Sequence, residues 1–507
     1  MASTDTKTQP EPKTAPAAGA DRPPSSDDRR ATTRAQAVPA VRAQGSFLDR
    51  TLVRILNLWR DLSDTVTGTV DASLSADGDI RRLRDQMQAC LEARGGEVSA
   101  RGRAAALGQT YLGLDARGRE RFLRLLAGAF DVNRKEVDAA VKALLESPPE
   151  RRPHAEAALR GALEPSRIRL LMQFNALPEG VKFLVDMRRE LMNHARKDGT
   201  LAALDDDLRR LLSSWFDIGF LELRRITWRA PAALLEKLID YEAVHEIRSW
   251  EDLKNRLDSD RRCFAFFHPR MPDEPLIFVE VALVDGMADN VAVLLDESAP
   301  LVDPEHNADT AIFYSISNAQ QGLAGISFGG FLIKRVVDLL ASELTGLKTF
   351  ATLSPIPGFR RWLDGRIEAG DRLLLPAEAR KLADATKITN ETEALRFALG
   401  RPDWHNDSTL AEALQAPLVR LSARYLVNEK GRGDRALDPV AHFHLTNGAR
   451  VERINWLGDT SARGLGASAG LMVNYLYELG RIEENHERYT GEGGVTASSA
   501  VTRLLRV

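Results

Sequence analysis

TAIFYSISNAQQGLAGISFGGFLIKRVVDLLASEL, residues 310–344, carries the reading on which the fold turns. Its opening run, Thr310 to Ser317, is rich in apolar and β-branched residues and reads as a strand. From Phe331 to Leu344 the period changes, and Leu332, Val336, Leu339 and Leu340 share one helical face. Between them lies GISFGG, Gly325 to Gly330, which reads in two ways. As G-x-S-x-G it makes Ser327 the exposed nucleophile of a serine hydrolase. As glycines opening a helix it forms a cradle of backbone N–H groups for a phosphate, with Lys334 and Arg335 adding charge. A nucleophile elbow places its serine directly after the strand, whereas NAQQGLAG intervenes here, so the spacing favours the cradle. It is not the G-x-G-x-x-G of a dinucleotide fold, and no Gly-Lys-Ser or Gly-Lys-Thr follows to make a P-loop.

Working outward, CFAFFHP (Cys263–Pro269) and LIFVEVALV (Leu276–Val284) read as two strands joined by RMPDEP, with His268 a turn residue. Downstream, KTFATLSPIPGF gives a short strand ending at two prolines, and residues 376–427 are mainly helical. AHFHLTNGARVERINW (Ala441–Trp456) reads as two strands around Asn447-Gly448, which would put His442 and His444 on one face. The first half differs. Leu52, Ile55, Leu56 and Trp59 lie on one helical face, and Ile80, Leu83, Met87 and Leu91 repeat the pattern. FLRLLAGAF and the set Leu184, Met187, Leu191 continue it to about residue 214, with SPPERRP (Ser147–Pro153) a break between helices. Residues 1–45 hold almost no large apolar side chains and read as a disordered tail. The expected organisation is α+β: a tail over 1–45, an all-α domain over 46–214 and a mixed α/β domain over 215–507.

Composition narrows the function. Lys and Arg number 69 against 72 Asp and Glu, for a net charge of −3, so no broad basic field invites nucleic acid. No apolar run reaches membrane-spanning length. Cys90 and Cys263 are the only cysteines, too few for a disulfide framework or a four-ligand zinc site, and no metal is expected. MASTDTKTQPEPK lacks the apolar core of a signal peptide, and the early acids argue against an organelle transit peptide. These features fit a cytoplasmic enzyme.

FYSIS, QQGLAGISFGGFLIKRVV, LSPIPGF, FHLTNGA and RINW, in this order, resemble the malonyl-CoA decarboxylase family over about residues 216–479. That resemblance implies a helical oligomerisation domain, a catalytic domain of GNAT acyltransferase type, and assembly as a dimer or tetramer. It implies a carboxy-lyase that converts malonyl-CoA to acetyl-CoA and CO2 with no cofactor, since the thioester is its own electron sink. It puts the catalytic pair at Ser354 and His444, with Ser315 and Tyr477 as supporting polar groups. It gives the CoA thioester to Ala324, Gly325, Ile326, Ser327, Phe328, Gly329 and Gly330, together with Ser354 and His444. A histidine with a pKa near the working pH is a natural proton donor to the enolate, and the family register selects His444 over His442. Arg335, Arg360, Arg361 and Arg453 are the candidates for the CoA 3′-phosphate. At 327 this chain departs from the animal-type pattern, which has a glutamate there. A serine hydrolase acting through Ser327, a non-catalytic CoA-binding module and an amine acyltransferase remain the alternatives.

Overall fold

The computed structural model describes residues 47–506 apart from 61, 63–69, 93–95, 300–302, 304–306 and 327–331. The expected tail over 1–45 lies outside the described residues, as do Ser327, Phe328, Gly329 and Gly330. Residues 46–507 form one compact unit. From Phe47 to Trp215 the described chain is helical, and the first strand begins at Glu222. The helix starts follow from capping: Asp115 accepts from Gly118 N, Asn133 from Lys135 N, and Asp198 from Thr200 N and Leu201 N. Ile55, Trp59, Leu83 and Met87 are fully buried, while Leu56, Ile80 and Leu91 pack against the same core. Trp59 sits edge-on to Phe183 at 4.9 Å and donates its indole N–H to Pro178 O at 2.8 Å. Only glycine fits beneath it, since a Cβ at Gly108 would meet the ring at 2.1 Å.

Among the described residues eight strands form one sheet: β1 (Glu222–Ile226), β2 (Arg261–His268), β3 (Met271–Val284), β4 (Thr310–Asn318), β5 (Thr349–Thr352), β6 (Ser354–Pro355), β7 (Arg450–Asn455) and β8 (Met472–Leu476). Their order is β1-β2-β3-β4-β5-β8-β6, with β7 pairing on β8. β2 is buried at every residue, and its Cys263–Phe267 stretch is the continuous apolar run expected of a strand covered on both faces. The turn between β2 and β3 is Pro269-Arg270 rather than the longer RMPDEP, because Met271 already pairs with His268. His268 is therefore no turn residue. It ends β2, is buried, and sits 3.0 Å from Trp215 O.

Two irregularities shape the functional end. The β3/β4 register runs Glu280↔Ser315 and then Val281↔Phe313, so Tyr314 is an extra residue. The bulge switches parity: Phe313 faces the helical core, while Ser315 shares a face with Glu280. β4 and β5 are parallel, but their pairing ends at Phe313↔Thr352 with Leu353 N donating to Phe313 O. β6 then pairs with β8 instead, so the two central strands part.

The sequence pairing at Ala441–Trp456 is only half right. Pro439–Thr446 is a helix, and just Arg450–Asn455 is a strand. Asp438 caps the helix by accepting from Val440 N and Ala441 N, and Pro439 supplies a ready φ for the first turn. Asn447-Gly448 is its C-terminal stop, not a hairpin turn. Gly448 has φ +82°, Gly448 N donates to Leu445 O, and Ala449 N donates to His444 O. Among the described residues no helix is long and apolar enough to cross a membrane.

Candidate active site

Where β4 and β5 part, a cavity of about 210 Å³ opens, lined by Phe313, Tyr314 and Ile316 on one side and Ser354, Phe443 and His444 on the other. Ser354 opens β6, set at this strand end by the Pro355 that follows. His444 comes from the Pro439–Thr446 helix and Tyr477 follows β8, so three separate elements meet. Ser354 Oγ lies 3.2 Å from His444 Nε2, and His444 Nδ1 lies 2.8 Å from the Tyr477 hydroxyl. Ser354 donates its own hydrogen to Thr352 Oγ1 at 2.8 Å. Its oxygen is therefore left to accept from Nε2–H, and Nδ1 accepts from Tyr477 O–H. Burial keeps the Tyr477 phenol far above its usual pKa, which makes it a lasting donor. The His444 ring also stacks on Tyr475, 4.5 Å away and 23° from parallel.

His442 is on the other side of the helix, because two residues advance about 200° around an α-helix. Its Nδ1 lies 2.8 Å from the Tyr489 hydroxyl, and it takes no part in the Ser354 chain. Ser315 is brought elsewhere. It hydrogen-bonds both carboxylate oxygens of Glu242 at 2.8 Å, and Ser317 donates to Glu242 Oε2 at 3.1 Å. Glu242 also accepts from Val244 N and His245 N, which folds the chain back along the cavity wall. Sequence reasoning did not reach Glu242, since it lies more than seventy residues before Ser315 on an unremarkable helix end. Glu280 lies buried nearby on Arg256 at 3.1 Å, its pKa pushed up to about 8 by burial and by the Glu242 carboxylate.

The expected histidine pKa near neutrality does not hold. Burial pushes His444 from its ordinary 6.5 down to about 3, so the imidazole is neutral. The unfolded chain gains a proton here below about pH 6.5 while the folded chain does not, so stability falls with pH in that window. From pH 7 to pH 5 this one group should cost about 2 kcal/mol. Urea unfolding at both pH values is expected to show the wild type losing about that much more than His444→Gln. Equal losses would mean that His444 is not held neutral.

Ala324, Gly325 and Ile326 line a neighbouring cavity of about 700 Å³, and Gly325 uses a left-handed φ of +75° that favours glycine. The buried Arg188 guanidinium, from the Gly180–Ala195 helix, holds this segment by donating to Gly322 O at 2.7 Å and Ala324 O at 2.9 Å. The basic side chains expected here serve other partners. Lys334 pairs with Glu483 at 2.6 Å, while Arg335 donates to Leu221 O and lies over the Phe266 ring. Arg360 pairs with Asp364, and Arg453 binds Asn474 and the carbonyls of Met287 and Ala288. Arg361 is exposed.

Comparison with known sequences agrees with the resemblance in its motifs. Residues 219–507 match the malonyl-CoA decarboxylase C-terminal domain, and residues 130–216 match the malonyl-CoA decarboxylase N-terminal domain. The chain belongs to the malonyl-CoA decarboxylase family. It is 39% identical over 420 residues to the mitochondrial malonyl-CoA decarboxylase of Anser anser anser, covering 80% of this chain and 83% of that one. It is 38% identical over 429 residues to that of Rattus norvegicus, covering 80% and 86%. The crystal structure of malonyl-CoA decarboxylase from Rhodopseudomonas palustris superposes with a TM-score of 0.76 at 44% identity, over 84% of this chain and 99% of that one. The one from Agrobacterium vitis gives 0.75 at 44%, over 83% and 99%.

Proposed function

We propose that this chain is a malonyl-CoA decarboxylase, a carboxy-lyase that releases acetyl-CoA and CO2, with Ser354, His444 and Tyr477 at its reacting centre. The observation that carries this is the Thr352–Ser354–His444–Tyr477 hydrogen-bond chain on the wall of the cavity between the parted strands, in a member of this family. Cleavage of the carboxylate C–C bond sends its electron pair into the thioester carbonyl, leaving an enolate and free CO2. A metal or organic cofactor has no step to perform in that scheme. Ser354 is placed to donate to the substrate once it turns from Thr352, and His444 Nε2–H is placed to protonate the enolate carbon. An anionic carboxylate entering beside His444 raises its proton affinity again, so substrate binding brings in the proton that the reaction consumes.

The catalytic half is read as GNAT-like, supported by the parallel β4/β5 pair, the bulge at Tyr314 and the parting of the strands. The Gly325–Gly330 segment is read as the pyrophosphate cradle, with Ala324 to Ile326 facing the larger cavity. The helical half is read as the assembly domain of a cytoplasmic dimer or tetramer. In support, the Arg134–Leu145 helix buries none of its residues, and its Val141 and Leu145 are exposed.

The test is acetyl-CoA formation from malonyl-CoA by the purified protein without added cofactor. Turnover is expected, and Ser354→Ala should lower kcat by roughly 10²- to 10³-fold through loss of one donor to the developing oxyanion. Absence of turnover, or full turnover in both Ser354→Ala and His444→Ala, would overturn the reading.

A further inference from the structure

Three cavities follow one another along the Pro439–Thr446 helix. The catalytic cavity shares Asn318, Pro439 and Phe443 with the larger one beside Ala324. That one shares Gly325, Ile326, His442 and Thr446 with a third, of about 670 Å³, which reaches Arg435 and Tyr489. The helix is about 12 Å long, so it places a reacting group and a distal binding group on one rigid ruler.

Chemistry changes along that path. No Lys or Arg is among the described residues lining the first two cavities, and Arg435 is the one cation among those lining the third. Arg435 is exposed and makes no ion pair among the described residues, although Asp434 and Glu492 also stand on the rim. Its neighbours are poised as donors. The Tyr489 oxygen accepts from Ala436 N at 2.9 Å, so its hydrogen goes to His442 Nδ1 at 2.8 Å. That leaves His442 carrying its proton on Nε2, as a donor. Both side chains line this cavity, and the His442 proton affinity is lowered by burial and then by the Arg435 charge.

Resting on the decarboxylase reading, we propose that the third cavity takes the phosphorylated nucleoside end of the CoA thioester, with Arg435 and His442 holding the 3′-phosphate. The acyl group then lies at His444 and the pantetheine arm runs through the apolar middle cavity. His442 and His444 divide the ligand between them from opposite sides of one helix.

The experiment compares malonyl-CoA with its 3′-dephospho analogue in the wild type, Arg435→Ala and Arg435→Lys. A charge-assisted contact of this kind makes the wild type prefer malonyl-CoA in kcat/KM by about tenfold or more. Arg435→Ala should bring that preference close to one, acting through KM, and Arg435→Lys should restore part of it. A preference that persists in Arg435→Ala, with malonyl-CoA still turned over, overturns the proposal and leaves the decarboxylase reading intact. Failure of that reading shows differently, as no turnover of either thioester. The cavity is then judged by calorimetry with adenosine 3′,5′-bisphosphate. Binding about tenfold weaker in Arg435→Ala supports the site, and equal or absent binding overturns it.

Discussion

His444→Asn is expected to lower kcat by roughly 10²- to 10⁴-fold, the usual contribution of a positioned general acid, with KM for malonyl-CoA little changed. An asparagine can keep one of the two hydrogen bonds, to Tyr477 or to Ser354, and the cavity remains enclosed. What it cannot do is accept a proton when an anion arrives and pass it to carbon. The step lost is therefore protonation of the enolate, and the loss belongs in kcat. Steady-state kinetics on a variant whose thermal unfolding matches the wild type checks this. Wild-type turnover in the variant would remove His444 from the chemistry.

Arg188→Met is expected to have the largest effect on the fold near the site. The guanidinium is 2% exposed, pairs with Asp205 at 2.8 Å, and donates to Gly322 O and Ala324 O. Methionine fills much of the volume but leaves the Asp205 carboxylate and the carbonyls of Gly322 and Ala324 without this donor. Removing one partner of a buried pair costs about 3–5 kcal/mol, and the lower figure applies here because Asp205 keeps some access to water. The released segment lines the middle cavity, so KM should rise along with the loss of stability. Urea unfolding together with KM for malonyl-CoA measures both. An unchanged KM beside a lowered stability would mean that the segment holds its shape without the Arg188 anchor.

Much of this was legible in the sequence. The strand and helix on either side of the glycine-rich stretch are found at Thr310–Asn318 and Leu332–Glu343, because an apolar, β-branched run and a 3.6-residue period are strong signals over that length. Ser354, His444 and Tyr477 were reached through family motifs, and the structure brings those three together. The Pro439–Thr446 helix was not seen. Over eight residues the His-Phe-His alternation mimics a strand, and Asn-Gly mimics a hairpin, although Asp438-Pro439 was a helix start in plain view. The bulge at Tyr314 adds a single residue and leaves no mark on an apolar run. Its consequence, Ser315 turned toward Glu242, depends on a contact far along the chain, which no local pattern encodes.

The core is shared between the two halves: Trp59, Phe183 and Leu208 belong to the same buried cluster as Phe266, Phe313 and Val337. A ribosome delivers those groups in order. At about 5–20 residues per second, roughly 130 residues separate Trp215 from the start of β5, an interval of about 7 to 26 s. Through that time the newly made helices hold apolar faces whose covering does not yet exist. Such a nascent chain is a natural client for chaperones that shield apolar surface during synthesis, and its yield in a cell should depend on translation speed over residues 216–349.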